Sequence, residues 1–281
     1  MLKPKHERSR GILHVPAADP MAGHRRYFPS ADLAPFVEHY WAFTHDFAAP
    51  QLTETLPFPV VYLIFEHGEA LVAGVQRRKF SRLLEGAVQV RAVKFRPGGF
   101  RPFIDAPVST LTDKTVSLEA LFGTQHTAFV ADVLNARDDQ TAFSAIEDFL
   151  RSRAPRTDAA LTLVGEIALR IASDRSITHV DQIVAQFDIG LRKLQRLCDD
   201  YVGIGPKWMI QRYRLHEAAV RIAQEADTPW TEIALDLGYA DQAHFIRDFK
   251  KLIGKSPADY YKALLATNAP PSPPAVQSAR A

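Results

Sequence analysis

Two groups of polar side chains stand out by type and spacing. Arg192, Gln195 and Arg196 fall at i, i+3 and i+4, so on a helix they share one stripe opposite Leu194, Leu197 and Tyr201. Gln242, His244 and Arg247 open a second helical stretch in which Phe245, Phe249 and Leu252 are spaced to face a core. A guanidinium can bind guanine O6 and N7 in a fork, and a glutamine amide can bind adenine N6 and N7. Lys193, Lys250 and Lys251 stand beside them and suit phosphate oxygens, which fix position rather than sequence preference. On a lone helix such charge is an ordinary solvated face. Here the arrangement occurs twice, which favours nucleic-acid readout.

The duplication extends well beyond those side chains. Arg196, Gly203 and Pro206 recur as Arg247, Gly254 and Pro257, each 51 residues later, while Ile183 and Val184 recur 50 residues later as Ile233 and Ala234. One extra residue therefore sits in the second copy, just after its turn, and two copies of one supersecondary unit are the economical explanation. In the second copy Thr231–Leu237 predicts a short helix, Gly238 can stop it in the left-handed region, and Asp241 can cap the next helix. Helix, tight turn and projecting helix make a helix-turn-helix unit. The first copy predicts a helix over Val180–Phe187, a turn at Asp188-Ile189 and a projecting helix from Gly190 to Tyr201. Between the copies, the stretch from Pro206 to Gln224 has no internal Pro or Gly and carries apolar Met209, Ile210, Tyr213, Leu215, Ala219 and Ile222. As one helix it spans about 28 Å, enough to hold two projecting helices near one DNA turn of about 34 Å.

The elements upstream follow different periods. Ser30 predicts the cap of a helix whose Leu33, Phe36, Val37, Tyr40 and Trp41 share a face. Val60–Phe65, Glu69–Val75 and Ala87–Phe95 predict strands, and Phe122–Leu134 and Thr141–Leu150 predict amphipathic helices. The polar, Pro-split stretch 151–158 predicts a domain boundary, giving a flexible arm over 1–26, a sensor or dimerisation domain over 27–153, and a helical domain over 154–266. The Pro-rich end, 267–281, predicts a disordered tail.

Composition excludes several classes. With 34 Lys and Arg against 32 Asp and Glu in 281 residues, the net charge of +2 fits neither a basic nucleic-acid coat nor an acidic solvating chain. The helical half, 158–266, carries 14 basic against 15 acidic residues, a net of −1, so non-specific affinity for DNA is expected to be modest. A single cysteine, Cys198, makes no internal disulfide, and no multi-cysteine zinc site is available. The beginning of the sequence lacks an apolar signal core and no run reaches the length of a membrane helix, so a cytoplasmic protein is expected.

The stretch Trp230–Lys250, with Gly254 and Pro257, resembles the second helix-turn-helix signature of the AraC/XylS family of transcriptional regulators. The resemblance implies an α+β chain: a small cupin-like β-barrel with helices in front, and an all-α domain of two helix-turn-helix motifs joined by a long helix behind. It implies base and phosphate contacts at Arg192, Gln195 and Arg196 and at Gln242, His244 and Arg247. It also implies double-stranded DNA as partner, with a small-molecule effector, a homodimer and, for an activator, RNA polymerase as further partners. The first motif departs from the pattern at Asp188, Gly190 and Cys198. Upstream, Tyr40-Trp41, Leu56-Pro57-Phe58, Gly74-Val75-Gln76 and Val93–Phe100 resemble a front domain common among such regulators.

The candidate effector residues are Arg96, in a turn with Pro97, Gly98 and Gly99 that could face an anion, and the aromatic pair Tyr40 and Trp41. The competing assignments are a strand-ending turn for the first and core packing for the second. His39, His45 and His67 lack the close pairing of metal ligands, so no metal, no cofactor and no enzyme activity are expected. The function expected is a sequence-specific DNA-binding transcription regulator. The same residues also fit a constitutive DNA-binding protein whose front domain only dimerises. An enzyme fused to a DNA-binding unit is a third reading, disfavoured because the one cysteine lies in a reading helix.

Overall fold

The computed structural model describes residues 23–224 and 229–268. Of the expected tail, 267–281, Thr267 and Asn268 end a helix instead, and the rest, like residues 1–22 of the expected arm, lies outside the described residues. The last residues of that arm enter a strand, β1 (His24–Tyr27). It is followed by β2 (Val37–Thr55), β3 (Tyr62–Glu66), β4 (Glu69–Ala73), β5 (Phe80–Phe95) and β6 (Thr115–Ser117). These form one six-stranded sheet in the order β1-β2-β5-β3-β4-β6, with every pair antiparallel. The β3–β4 hairpin turns at His67 and Gly68, both at positive φ, as a two-residue turn matched to strand twist requires.

The helix predicted from Ser30 is not there. Leu33 and Ala34 donate to the Ser30 carbonyl and Val37 to that of Leu33, but from Val37 onward the chain is strand, with Tyr40 opposite Val93 on β5. The helical spacing misled because this strand is apolar on both faces. Tyr40 points into the main core, and Trp41, one residue on, joins Phe43, Phe47, Val88 and Val90 on the opposite face. The helix predicted over Phe122–Leu134 is two helices, α1 (Leu118–Phe122) and α2 (Thr127–Leu134), because Gly123 at φ +96 breaks the chain between them. Asp138 caps α3 (Asp139–Ser152) by accepting from the Thr141 N–H at 2.7 Å. Arg91, buried in the sheet, donates to the carbonyls of Val133 and Ala136 at the end of α2 and pairs with Asp139 at 3.2 Å. One guanidinium thus ties sheet, α2 and α3 together.

Residues 154–158 carry no helix or strand, and the described residues beyond them form α4 (Ala159–Ser173), α5 (Val180–Gln186), α6 (Leu191–Leu197), α7 (Pro206–Gln224), α8 (Trp230–Asp236), α9 (Gln242–Ile253) and α10 (Pro257–Asn268). The long α7 serves two cores. Met209 and Ile210 pack with α4, α5 and α6, whereas Leu215, Ala218, Ala219 and Ile222 pack with α8, α9 and α10.

Both helical cores receive a side chain from the front half. Val75 enters the first and Leu56, fully buried, enters the second. Arg101 pairs with Asp200 at 2.8 Å, and Thr112 donates to the Gly203 carbonyl. Gly98, at φ +82, packs tightly on α4, since a Cβ there would stand 3.0 Å from the Val164 side chain. On α7, His216 stacks on Phe58 with ring centroids 4.0 Å apart, and Arg212 donates to the carbonyls of Gln76 and Arg77.

Candidate nucleic-acid interface

The first unit is α5, a turn and α6. Asp188 occupies the turn at φ +46, a left-handed conformation that costs most side chains but is tolerated by Asp, and the Ile189 N–H closes onto the Val184 carbonyl. Gly190 precedes α6 without a side-chain cap. Leu194 is buried, while Arg192, Lys193, Gln195 and Arg196 are all exposed on the other side. The projecting helix expected to reach Tyr201 ends at Leu197 and passes into a π-type turn, Cys198–Val202, closed by Gly203 at φ +87. That turn is where the front half grips, through Asp200 and Gly203. Cys198 is buried, and burial followed by the charge of Asp199 pushes its thiol up to about 12, so it packs as a small apolar group rather than acting as a thiolate.

The second unit is α8, a turn and α9. Gly238 takes the turn at φ +78, and a Cβ there would meet the Thr178 side chain at 2.4 Å. Tyr239 closes onto the Ala234 carbonyl, the counterpart of the Ile189 bond. Asp241 caps α9, accepting from the His244 N–H at 2.7 Å. Phe245 and Phe249 are fully buried, so α9 presents His244, Arg247, Lys250 and Lys251 to solvent, with Gln242 half-buried at its start. Gln242 accepts from Thr231 at 3.1 Å, His244 lies 3.6 Å from Asp248, and Arg247 donates to the Ala243 carbonyl at 3.3 Å. These are local contacts on an exposed face, and each can be exchanged for an outside partner.

Tyr40, Trp41 and Arg96 are not brought together. Tyr40 is fully buried, stacked on Phe143 and donating to Glu147 at 3.3 Å. Trp41 stacks on His24 across the other face of the sheet. Arg96 donates to the Ala34 carbonyl at 2.7 Å, and its Pro-Gly-Gly turn seats the front half on α4. Core packing and a strand-ending turn account for all three.

Sequence reasoning missed two buried arginines on α7. Arg212 lies 1% exposed over the Trp208 ring, its Nε and Nη1 without hydrogen-bond partners among the described residues. Burial with no carboxylate beside it pulls its pKa down to about 9, so it still carries its charge at pH 7. Arg214 donates to the Ile171 carbonyl and pairs with Glu217 at 2.9 Å. Nothing in residue type distinguishes these from the solvated arginines of α6, since it is the packing of α7 against the 76–77 segment and α4 that buries them.

Comparison with known proteins agrees with this geometry. Residues 183–263 match the family described as "Helix-turn-helix domain", and residues 25–117 match "Domain of unknown function (DUF6597)". The HTH-type transcriptional activator RhaS of Pectobacterium atrosepticum is 36% identical over 72 residues, 26% of this chain and 25% of that protein. The HTH-type transcriptional regulator MtrA of Neisseria gonorrhoeae is 29% identical over 84 residues, 30% of this chain and 28% of that protein. The chain thus spans about a quarter of the length of the curated relatives it matches. A crystal structure of ToxT from Vibrio cholerae aligns at a TM-score of 0.41 and 12% identity, covering 80% of this chain and 97% of that one. With two helix-turn-helix units flanking one long helix, the C-terminal part of this chain is a helix-turn-helix domain of the AraC type.

Proposed function

We propose that this chain is a sequence-specific DNA-binding transcription regulator whose α6 and α9 enter successive major grooves on one face of the duplex. The observation that carries the proposal is the duplicated projecting helix. Each copy buries one face and leaves an arginine-containing polar face exposed, and a rigid helix of 19 residues joins the pair. Arg192, Gln195 and Arg196, with Gln242, His244 and Arg247, read base edges, while Lys193, Lys250 and Lys251 hold phosphates. The front domain, 27–153, receives a small molecule or a second copy of the chain and acts on the reader through the seam along α7. An activator of this kind would also contact RNA polymerase. No helix among the described residues is long and apolar enough to cross a membrane, which accords with work in the cytoplasm. No catalytic step is assigned.

The test is selection of preferred sites from a randomised duplex pool, followed by titration of the full chain and of Arg247→Ala and Arg196→Ala against the winning site and a scrambled one. Each substitution is expected to weaken specific binding by about 1–3 kcal/mol and to relax preference within its own half-site. Equal binding to both duplexes, indifferent to either arginine, would overturn the proposal.

A further inference from the structure

The front half touches the two helix-turn-helix units at matching places. Gly203 and Gly254 stand 51 residues apart, each at a positive φ in the turn that follows its projecting helix. Thr112 donates to the Gly203 carbonyl, while Arg101 and Ser109 engage the neighbouring Asp200 and Asp199 at 2.8 and 3.3 Å. In the other copy a Cβ on Gly254 would stand 2.7 Å from Lys79 Nζ. That ammonium therefore lies on the C-terminal end of α9, where a cation suits the helix dipole. Lys79 is itself paired with Glu54.

The two grips belong to one piece of the front half. Segments 74–79 and 108–114 are tied to each other by the Asp113 N–H on the Val75 carbonyl at 2.9 Å, the Gly74 N–H on the Lys114 carbonyl at 3.0 Å and the Arg77 N–H on the Asp113 carboxylate at 2.7 Å. Together they form a crosspiece that carries both Thr112 and Lys79. Between those two it also rests on α7, where the Gln76 and Arg77 carbonyls accept from Arg212 at 3.3 and 2.7 Å. Arg212 is a buried charge, and sliding the crosspiece off α7 would strip it of these acceptors, so the contact resists displacement.

A rod between two projecting helices does not by itself fix how they face DNA. α7 sets their separation along its axis, but each unit is held to it by side-chain packing, and packed helices slide and turn against one another. One base pair changes the separation of two half-sites by about 3.4 Å and their facing by about 35°. A crosspiece that holds each unit at a point outside α7 opposes that rotation.

We propose that the crosspiece is a gauge: it fixes the rotation of the two units about α7 and so sets the half-site spacing the chain accepts, with Arg101, Thr112 and Lys79 as positioning residues for specificity. Its role in specificity rests on the DNA-reading function proposed above, whereas the gauge itself is a property of the free chain.

The experiment measures the distance between nitroxide labels on Lys193→Cys and Lys251→Cys in the full chain, in a Cys198→Ala background, by dipolar electron spin resonance without DNA. It compares the otherwise unchanged chain with Arg101→Gln/Thr112→Val, with Lys79→Ala, with the conservative Thr112→Ser, and with Ile146→Val, a control in the front core away from the crosspiece. Thermal melts check that each variant folds. One narrow distance is expected in the unchanged chain, Thr112→Ser and Ile146→Val, and a distribution broadened or displaced by about 3 Å or more in the other two. Unlabelled chains are then titrated against a site selected from a randomised pool and against versions with one base pair added or removed between its halves. Wild type should lose at least about ten-fold in affinity for either change and the two grip variants less than about three-fold, while base changes within a half cost all of them alike. Wild-type distances in both grip variants, or an equal displacement in Ile146→Val, would overturn the gauge. Displaced distances with wild-type discrimination between spacings would overturn its role in specificity. A chain with no sequence preference sinks the function proposed above, and the distances, taken without DNA, still decide whether the crosspiece holds the units.

Discussion

The two helix-turn-helix units repeat one plan but are stabilised differently. The second is locally self-sufficient: Gly238 takes the left-handed turn without a side-chain penalty, Asp241 caps the projecting helix, and α9 runs 12 residues over Phe245 and Phe249. The first has Asp188 in that turn and Gly190 with no cap, and its projecting helix is 7 residues long before a π-type turn. The front domain touches that turn with Arg101, Thr112 and the Gly98 backbone. Where local signals are weak, long-range contacts hold the helix, so the first projecting helix depends on the front half for its angle more than the second does.

The largest expected effect tests whether the second unit is independent after all. Leu56, fully buried among the side chains of α7, α8 and α9, is its one front-domain plug, and Leu56→Ala should cost about 2–5 kcal/mol by leaving a cavity. Hydrogen exchange should then show protection lost in α8 and α9 and kept in α5 and α6. Loss spread evenly over both would show that the two cores unfold as one.

Next in size is an acid sensitivity located at the seam. His216 is held neutral by burial, with the nearby charges of Arg212 and Lys94 adding to it, and its pKa falls to about 3 from an ordinary 6.5. Its folded value is depressed, so below pH 6.5 the unfolded chain binds a proton that the folded chain refuses. Stability contributed here is present above pH 6.5 and drains as pH falls towards 3. Between pH 7 and 5 the wild type should lose about 2 kcal/mol more than His216→Phe in denaturant melts, and parallel losses would remove His216 from the seam's energetics.

The smaller effects act on the turns themselves. Asp241→Ala removes the cap from α9 and should cost about 1 kcal/mol, while Gly190→Asp, at the matching place before α6, should recover part of that amount. Smallest is Asp188→Gly, expected to stabilise by a few tenths of a kcal/mol up to about 1, because glycine holds a positive φ without a Cβ. A destabilised Asp188→Gly would mean that the carboxylate itself has a role in that turn.

Local chemistry is what the sequence could disclose. The 51-residue repeat, the Gly238 turn, the Asp241 cap and the unbroken Pro206–Gln224 helix were all legible, because caps, turns and helical periods act over three or four residues. Apolar spacing failed over Leu33–Trp41, where a strand buried on both faces imitates a helix, and at Phe122, where Gly123 breaks the chain. The strands β1 and β6, the burial of Tyr40, the plug Leu56 and the buried Arg212 all depend on partners tens of residues away. Hydrogen bonding between strands and desolvation at a seam are set by which distant segments meet, and no single stretch of sequence records that meeting. The sequence by itself determined two projecting helices and the rod between them, and tertiary packing decided how they are held.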